Sequence, residues 1–162
     1  MPGRERGRAP RLAAPVLFVL FVGFGTGAAR SALPPGYTNT LVTTVASPTS
    51  VRFTPDGRML ITTQPGDLRV YQGGALLPTP ALTFPAAELC TNREQGLSSV
   101  AVDPDFPSNG FIYLYRTFKR PDGVCVNRAS RFVLPPGNVV DLAGEVVLVD
   151  NIPSPFGTHN AG

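Results

Sequence analysis

The sequence predicts an all-β protein, and three observations carry that expectation. Residues recur at a spacing of 49: Ser50, Val51, Phe53, Pro55 and Asp56 are answered by Ser99, Val100, Val102, Pro104 and Asp105. After each Pro-Asp turn a second alternating apolar stretch follows, Met59 to Thr63 in the first copy and Phe111 to Thr117 in the second. Beyond residue 31, no segment keeps a helical apolar period long enough to bury a face. A period of about 40 to 50 residues, filled by strands and tight turns, is the signature of radially repeated four-stranded sheets, the blades of a β-propeller. The competing reading is coincidence, because Pro-Asp turns are common.

The N-terminus reads as an address. Arg4, Arg6, Arg8 and Arg11 precede an apolar run from Leu12 to Phe24, and small residues follow at Gly27, Ala28, Ala29, Ser31 and Ala32. That is the layout of a secretory signal peptide, expected at residues 1–31, with the domain at 32–162 and a secreted or periplasmic destination. The run is short of the roughly 20 residues of a membrane span, and Pro15, Gly23 and Gly25 interrupt it. An uncleaved anchor is the alternative. No Cys follows the run to take a lipid, and no adjacent Arg pair marks the twin-arginine route.

Charge follows from the same division. The chain has 14 basic and 11 acidic residues; taking away Arg4, Arg6, Arg8, Arg11, Arg30 and Glu5 leaves nine basic against ten acidic. The alkaline character belongs to the leader. Nothing in the remainder argues for a nucleic-acid partner or an anionic membrane surface once the leader is cleaved.

Gly and Pro number 17 and 18, a rich supply of turns between strand-like runs. Thr40 to Ala46 is β-prone but has no counterpart in the repeat, and is expected to be an extra strand closing a ring. The first blade is expected at Val51–Thr54, Met59–Thr63, Asp67–Tyr71 and Ala81–Phe84. Its turns are Asp56-Gly57, Pro65-Gly66 and Gln72-Gly73-Gly74, where glycine supplies the positive φ that hairpins need. The second blade is expected at Leu97–Val102, Phe111–Thr117, Ala129–Leu134 and Glu145–Asp150. Pro107-Ser108-Asn109-Gly110 makes its first turn, and Lys119 to Val124 forms a polar excursion.

Cys90 and Cys125 are the only cysteines. In an oxidising compartment the default is a disulfide between them, closing a loop around the first two strands of the second blade. Two free buried thiols are the alternative, and a metal site lacks a second pair of soft ligands. Two blades cannot close a ring, since repeats of this kind need at least three for stability. The chain therefore reads as the N-terminal portion of a longer, incomplete propeller.

Several strings together resemble one family, the soluble quinoprotein glucose and sorbosone dehydrogenases. LPPGYTNTLV (Leu33 to Val42) resembles the family's entry strand, and SVRFTPDGRMLITTQPGDLRVYQGGALLPTP (Ser50 to Pro80) its first blade. REQGLSSVAVDPDFPSNGFIYLYRT (Arg93 to Thr117) is similar to its second-blade signature: an acid or amide, a Gly-Leu step, a DPxF turn and an Asn-Gly before an aromatic strand. CVNRASRF and THNAG, ending at Gly162, continue the match. Two departures stand out. Ser98 and Ser99 occupy a step that is often Leu-Gly in the family, and Ala161 occupies a usual Gly.

The resemblance implies a six-bladed propeller and a sugar dehydrogenase that uses pyrroloquinoline quinone and calcium. Its substrate would be a sugar oxidised at the anomeric carbon, with an outside electron acceptor. It implies His159, the only histidine, as general base: oxidation removes the hydroxyl proton while hydride leaves for the quinone, and an imidazole suits that task. From the residues alone a solvated turn is the competing reading. Glu94, just before the second blade's inner strand, is implied near quinone and substrate; a surface carboxylate paired with Arg93 or Arg128 is the alternative. Asn160 is implied to orient the histidine or to contact substrate.

Asp56, Asp103 and Asp105 read as turn formers rather than a calcium loop, because no run of oxygen ligands ends in a bidentate Glu. No metal ligand is assigned in this chain; the family's calcium ligands and the arginine that grips the quinone carboxylates are implied downstream. A different class remains open, a non-catalytic exported propeller that binds carbohydrate or protein, because function resides in the site and not the fold.

Overall fold

The computed structural model describes residues 33–160; the expected signal peptide lies outside them. The chain divides into two units, 1–39 and 40–162. In the first, the described stretch Leu33–Asn39 holds one turn, in which Tyr37 N–H donates to the Pro34 carbonyl at 3.1 Å.

The second unit holds two antiparallel sheets. Strands β1 (Pro48–Phe53), β2 (Met59–Thr63) and β3 (Asp67–Gln72) form a meander, and the short β4 (Ala75–Leu76) and β5 (Leu82–Thr83) both pair with β3. The second sheet is an uninterrupted meander of β6 (Leu97–Val102), β7 (Phe111–Lys119), β8 (Cys125–Val133) and β9 (Val146–Pro153). These are two blades of a β-propeller.

The sequence repeat is the register of this architecture. β1 and β6 begin 49 residues apart and end 49 residues apart. β2 and β7 begin 52 apart, because the second blade replaces the Asp56-Gly57 turn with a single helical turn, α1 (Phe106–Asn109). Gly110 ends it in the left-handed conformation at φ 65°, its N–H donating to the Phe106 carbonyl at 2.8 Å.

The core lies between the blades. Leu60, Leu68 and Val70 from the first sheet and Val100, Ile112, Leu114 and Phe132 from the second are fully buried. Each contributes about 1.5–3 kcal/mol by leaving water. Phe84 meets Phe132 edge-on at 5.9 Å, and the Arg116 guanidinium lies 4.2 Å from the Phe84 ring centre. A buried guanidinium is costly unless paired. Arg116, 1 % exposed, is held by Glu145 through two bonds of 2.8 and 3.0 Å. Arg58 ties the blades near the far end of β1, donating to the Pro135 carbonyl at 2.9 Å and to Asn138 Oδ1 at 2.8 Å.

Two expectations are corrected. Thr40–Ala46 is not a strand. Its Thr and Val residues favour extended backbone, but none of the described strands lies alongside to complete a ladder; Leu41, Val42 and Val45 instead line a groove with Val51, Met59 and Ile61. The fourth strand of the first blade, expected at Ala81–Phe84, is split into β4 and β5. Pro78 and Pro80 intervene, and neither has an N–H to give a ladder. In the second blade β7 and β8 run past their expected ends, so that Arg120 to Val124 is simply their hairpin turn, closed by Arg120 N–H to the Val124 carbonyl at 2.9 Å.

A disulfide joins Cys90 to Cys125, with Cα atoms 6.1 Å apart. Cys90 N–H also donates to the Thr117 carbonyl at 3.0 Å, and Leu89 bridges to Phe118. The irregular segment after residue 89 is thereby fastened to β7 at its start.

Candidate active site

The starts of β1 and β6 carry the same irregularity. The β1–β2 register slips between Pro48 and Ser50, and the β6–β7 register slips between Leu97 and Ser99. The extra residues are Thr49 and Ser98, again 49 apart. A bulge aims its unpaired residue away from the regular pleat, and such bulges recur beside active sites. Both residues line a cleft of about 550 Å³, together with Ser47, Pro48, Gln64, Arg93, Glu94 and Asn160.

The segment that presents Glu94 is held on several sides. Gln64, in the β2–β3 turn of the first blade, donates through Nε2 to the carbonyls of Arg93 and, at 3.0 Å, Gln95. The carbonyls flanking Glu94 are thus clamped by one amide. Gly96 lets the clamp close: its φ is +136°, and a Cβ there would sit 2.4 Å from the Gln64 carbonyl oxygen. Arg93, immediately before, is in the left-handed region at φ 55°.

Glu94 and His159 meet. Glu94 Oε2 accepts the backbone N–H of His159 at 2.6 Å, and Glu94 N–H donates to the Gly157 carbonyl at 2.9 Å. His159 is also left-handed, at φ 59°. Such a conformation costs about 1–2 kcal/mol away from glycine and is maintained by its surroundings. Gly157, at φ +70°, packs so tightly on Asn92 that a Cβ would lie 3.0 Å from the Asn92 carbonyl oxygen. The side chain of His159 is exposed and makes no hydrogen bond among the described residues.

Glu94 forms no ion pair among the described residues. Arg128 is engaged elsewhere: it pairs with Asp150 at 2.7 Å and lies 3.8 Å from the Phe118 ring centre. Hydrogen bonds from Arg128 hold the Asp150 carboxyl below its ordinary range, against the opposing effect of burial. Asn160 turns inward. It is 1 % exposed, and its Oδ1 accepts from Asn127 Nδ2 at 3.0 Å and from the Ser154 hydroxyl. Its Nδ2 has no partner among the described residues, nor does the buried Ser98 Oγ.

The three aspartates read as turn formers make turn contacts. Asp103 accepts from the Tyr113 hydroxyl, from Asn109 Nδ2 at 2.9 Å and from Asp105 N–H at 2.8 Å, and these bonds hold its carboxyl below the ordinary range. Asp56 is held low by Arg58. Among the described residues no three His, Cys, Asp or Glu side chains gather into a metal-sized group.

Sequence reasoning reached Glu94, His159 and Asn160 but missed Gln64, Thr49 and Ser154. Thr49 and Ser98 were within reach, being hydroxyl residues at the repeat spacing. Gln64 and Ser154 carry no local signal, because their importance comes from contacts across blades and loops.

A two-bladed meander with a cleft at the inner-strand starts defines a propeller of the ligand-binding kind. Residues 45–162 match the glucose/sorbosone dehydrogenase family model, and the chain belongs to that family. It is 33 % identical over 72 residues to an uncharacterized protein of Synechocystis sp., a match covering 41 % of this chain and 18 % of that one. Among solved structures it is similar to a putative oxidoreductase (glucose dehydrogenase) from Thermus thermophilus, with 32 % identity and a TM-score of 0.58 over 70 % of this chain and 32 % of that one. It is similar to the soluble aldose sugar dehydrogenase of Escherichia coli, in apo form, with 26 % identity and a TM-score of 0.55 over 64 % and 29 %. The fold is shared with the PQQ-bound aldose sugar dehydrogenase of Streptomyces coelicolor, at 21 % identity and a TM-score of 0.58 over 71 % and 33 %. The chain thus spans about a third or less of the length of these relatives.

Proposed function

We propose that these two blades form part of an exported quinoprotein aldose dehydrogenase, with His159 as the proton acceptor and Glu94 in the substrate and cofactor site. The observation that carries this reading is the contact between Glu94 and His159 at the cleft. Family membership supports a sugar as substrate, and the leader-like N-terminus supports export to the periplasm or beyond.

The cleft fits an acceptor-rich cofactor. Its size is that of a small-molecule site, and its wall carries Arg93 and two polar atoms without protein partners, Asn160 Nδ2 and Ser98 Oγ. Those three are the groups in this chain that would hold pyrroloquinoline quinone. When bound, the quinone supplies an electrophilic carbon that accepts hydride from the anomeric C–H.

The chain's own residues handle the proton. The exposed His159 imidazole is free to receive it from the anomeric hydroxyl, so that the sugar loses one proton and one hydride and becomes a lactone. Glu94 fixes the histidine's backbone through its N–H. Calcium has no assigned ligand here and belongs to the remainder of the ring, which also completes the cofactor cage; the two blades alone are inactive in this reading.

The test is dye reduction by aldoses, using the full-length gene product loaded with calcium and pyrroloquinoline quinone. His159→Ala should lower the rate by about 10²–10⁴-fold, the usual contribution of a general base. Equal rates in wild type and variant would remove His159 from the reaction. A quinone-loaded wild type with no aldose activity would favour a binding role for the propeller.

A further inference from the structure

Behind the cleft wall runs a line of five polar side chains, Gln95, Ser154, Asn160, Asn127 and Thr117, none more than 5 % exposed. Gln95 Nε2 donates to Ser154 Oγ at 2.8 Å and to the Ser154 carbonyl at 3.2 Å. The Ser154 hydroxyl bonds Asn160 Oδ1, Asn127 Nδ2 donates to the same oxygen at 3.0 Å, and Thr117 Oγ1 bonds Asn127 Oδ1 at 2.8 Å.

The chemistry fixes the direction of this line. An amide nitrogen only donates, so Ser154 accepts from Gln95 and has its single proton left for Asn160. The Asn160 oxygen has two lone pairs, and both are used. The line ties together two loops that have no regular hydrogen bonding of their own, because Gln95 follows Glu94 and Asn160 follows His159. Ser154 is the one atom group that connects them.

We infer that Ser154 is the positioning residue of the site: its hydroxyl, linking Gln95 to Asn160, sets the spacing at which Glu94 receives the His159 N–H. The inference rests on the reading of Glu94 and His159 given above. A single hydrogen bond at an exposed carboxylate does not order two loops by itself. A buried and satisfied polar chain does, since each member loses its partner if either loop shifts.

The test reads the contact itself. In the full chain, labelled with ¹⁵N, solvent exchange of the His159 amide is measured by NMR. Ser154→Ala should speed that exchange at least tenfold, and Ser154→Thr, which keeps the hydroxyl, should restore it. The neighbouring cleft of about 690 Å³ that Ser154 lines leaves room for the added methyl. Gln95→Met removes the same link from the other side at similar volume and should reproduce the effect if Ser154→Ala does not fold. Val140→Ala, a core change outside the line, should lower the melting temperature without selectively speeding His159 exchange.

Unchanged His159 exchange in both Ser154→Ala and Gln95→Met, or equal acceleration in Val140→Ala, overturns the inference. The dehydrogenase reading fails separately. If the variants behave as described but the loaded wild type oxidises no sugar, the positioning role stands and the proposed reaction does not.

Discussion

The Glu94 carboxylate accepts the backbone N–H of His159 at 2.6 Å across 65 positions of sequence. The bond joins the entrance of the second blade to the segment that leaves it, so the candidate base is placed by its main chain while its imidazole stays free. Glu94→Gln retains a carbonyl oxygen that can accept the same N–H, and Glu94→Ala retains nothing. The His159 amide proton resonance should therefore move partway upfield in the Gln variant and further in the Ala variant. Identical resonances in all three proteins would show that the contact is not formed in solution.

Gly96 is the position where the backbone tolerates least. A methyl there meets the Gln64 carbonyl at 2.4 Å, and φ is +136°. Gly96→Ala should destabilise the protein by more than about 1 kcal/mol and release the Gln64 clamp on Arg93 and Gln95. Gly137→Ala is the control, because nothing lies within 4 Å of its added Cβ and its φ is not positive. Urea midpoints should separate the two variants; similar midpoints would refute the steric argument.

The disulfide closes a separation of 35 residues. Loop-closure entropy assigns it about 3–4 kcal/mol. A Cys90→Ser, Cys125→Ser double variant should lose stability of that order, read from chemical denaturation. The first amides to lose protection should be those of Cys90 to Gln95, where the fastening to β7 is cut. Loss spread evenly over both blades would mean that the bond acts globally instead.

Acid should weaken the molecule in a defined window. Burial pushes the Glu145 carboxyl up, but hydrogen bonds from Arg116 and Ser130 outweigh it, and the folded value lies below 4.5. Asp56 and Asp150 lie below 3.8 through hydrogen bonds from Arg58 and Arg128. Groups depressed by folding contribute stability that is complete above their unfolded values and is lost as pH falls through the folded ones. Unfolding midpoints should be flat from pH 7 to about 5.5 and decline below about 4.5. In Glu145→Gln the decline should be shallower and the neutral-pH stability lower, because Arg116 loses its charged partner; an unchanged acid slope would exclude Glu145 from the effect.

The repeat, its turns and most strands were legible because they depend on neighbours in sequence. Asp56-Gly57 and Gly73-Gly74 supply the backbone freedom that a hairpin demands, and Val51 to Thr63 alternates as a pleat does. Thr40–Ala46 was misread because propensity describes a residue and not the presence of a partner strand. Glu94 and His159 could be named from their motifs, but not their contact, since nothing in a linear chain reports that two segments 65 residues apart converge. The buried arginines were illegible for the same reason. Arg58 and Arg116 look like surface charges until Asn138 and Glu145 are placed against them.

The cystine has a topological consequence. The polypeptide between Cys90 and Cys125 is a covalent ring containing all of β6 and β7, and its most accessible bend is the hairpin beside the exposed Lys119. A protease cutting after Lys119 would open the backbone inside that ring. The two products would stay one molecule, joined through sulfur and held by the ladders on either side, with Glu94 on one piece and His159 on the other. Separation of the two halves of the site would then require a reductant as well as a protease.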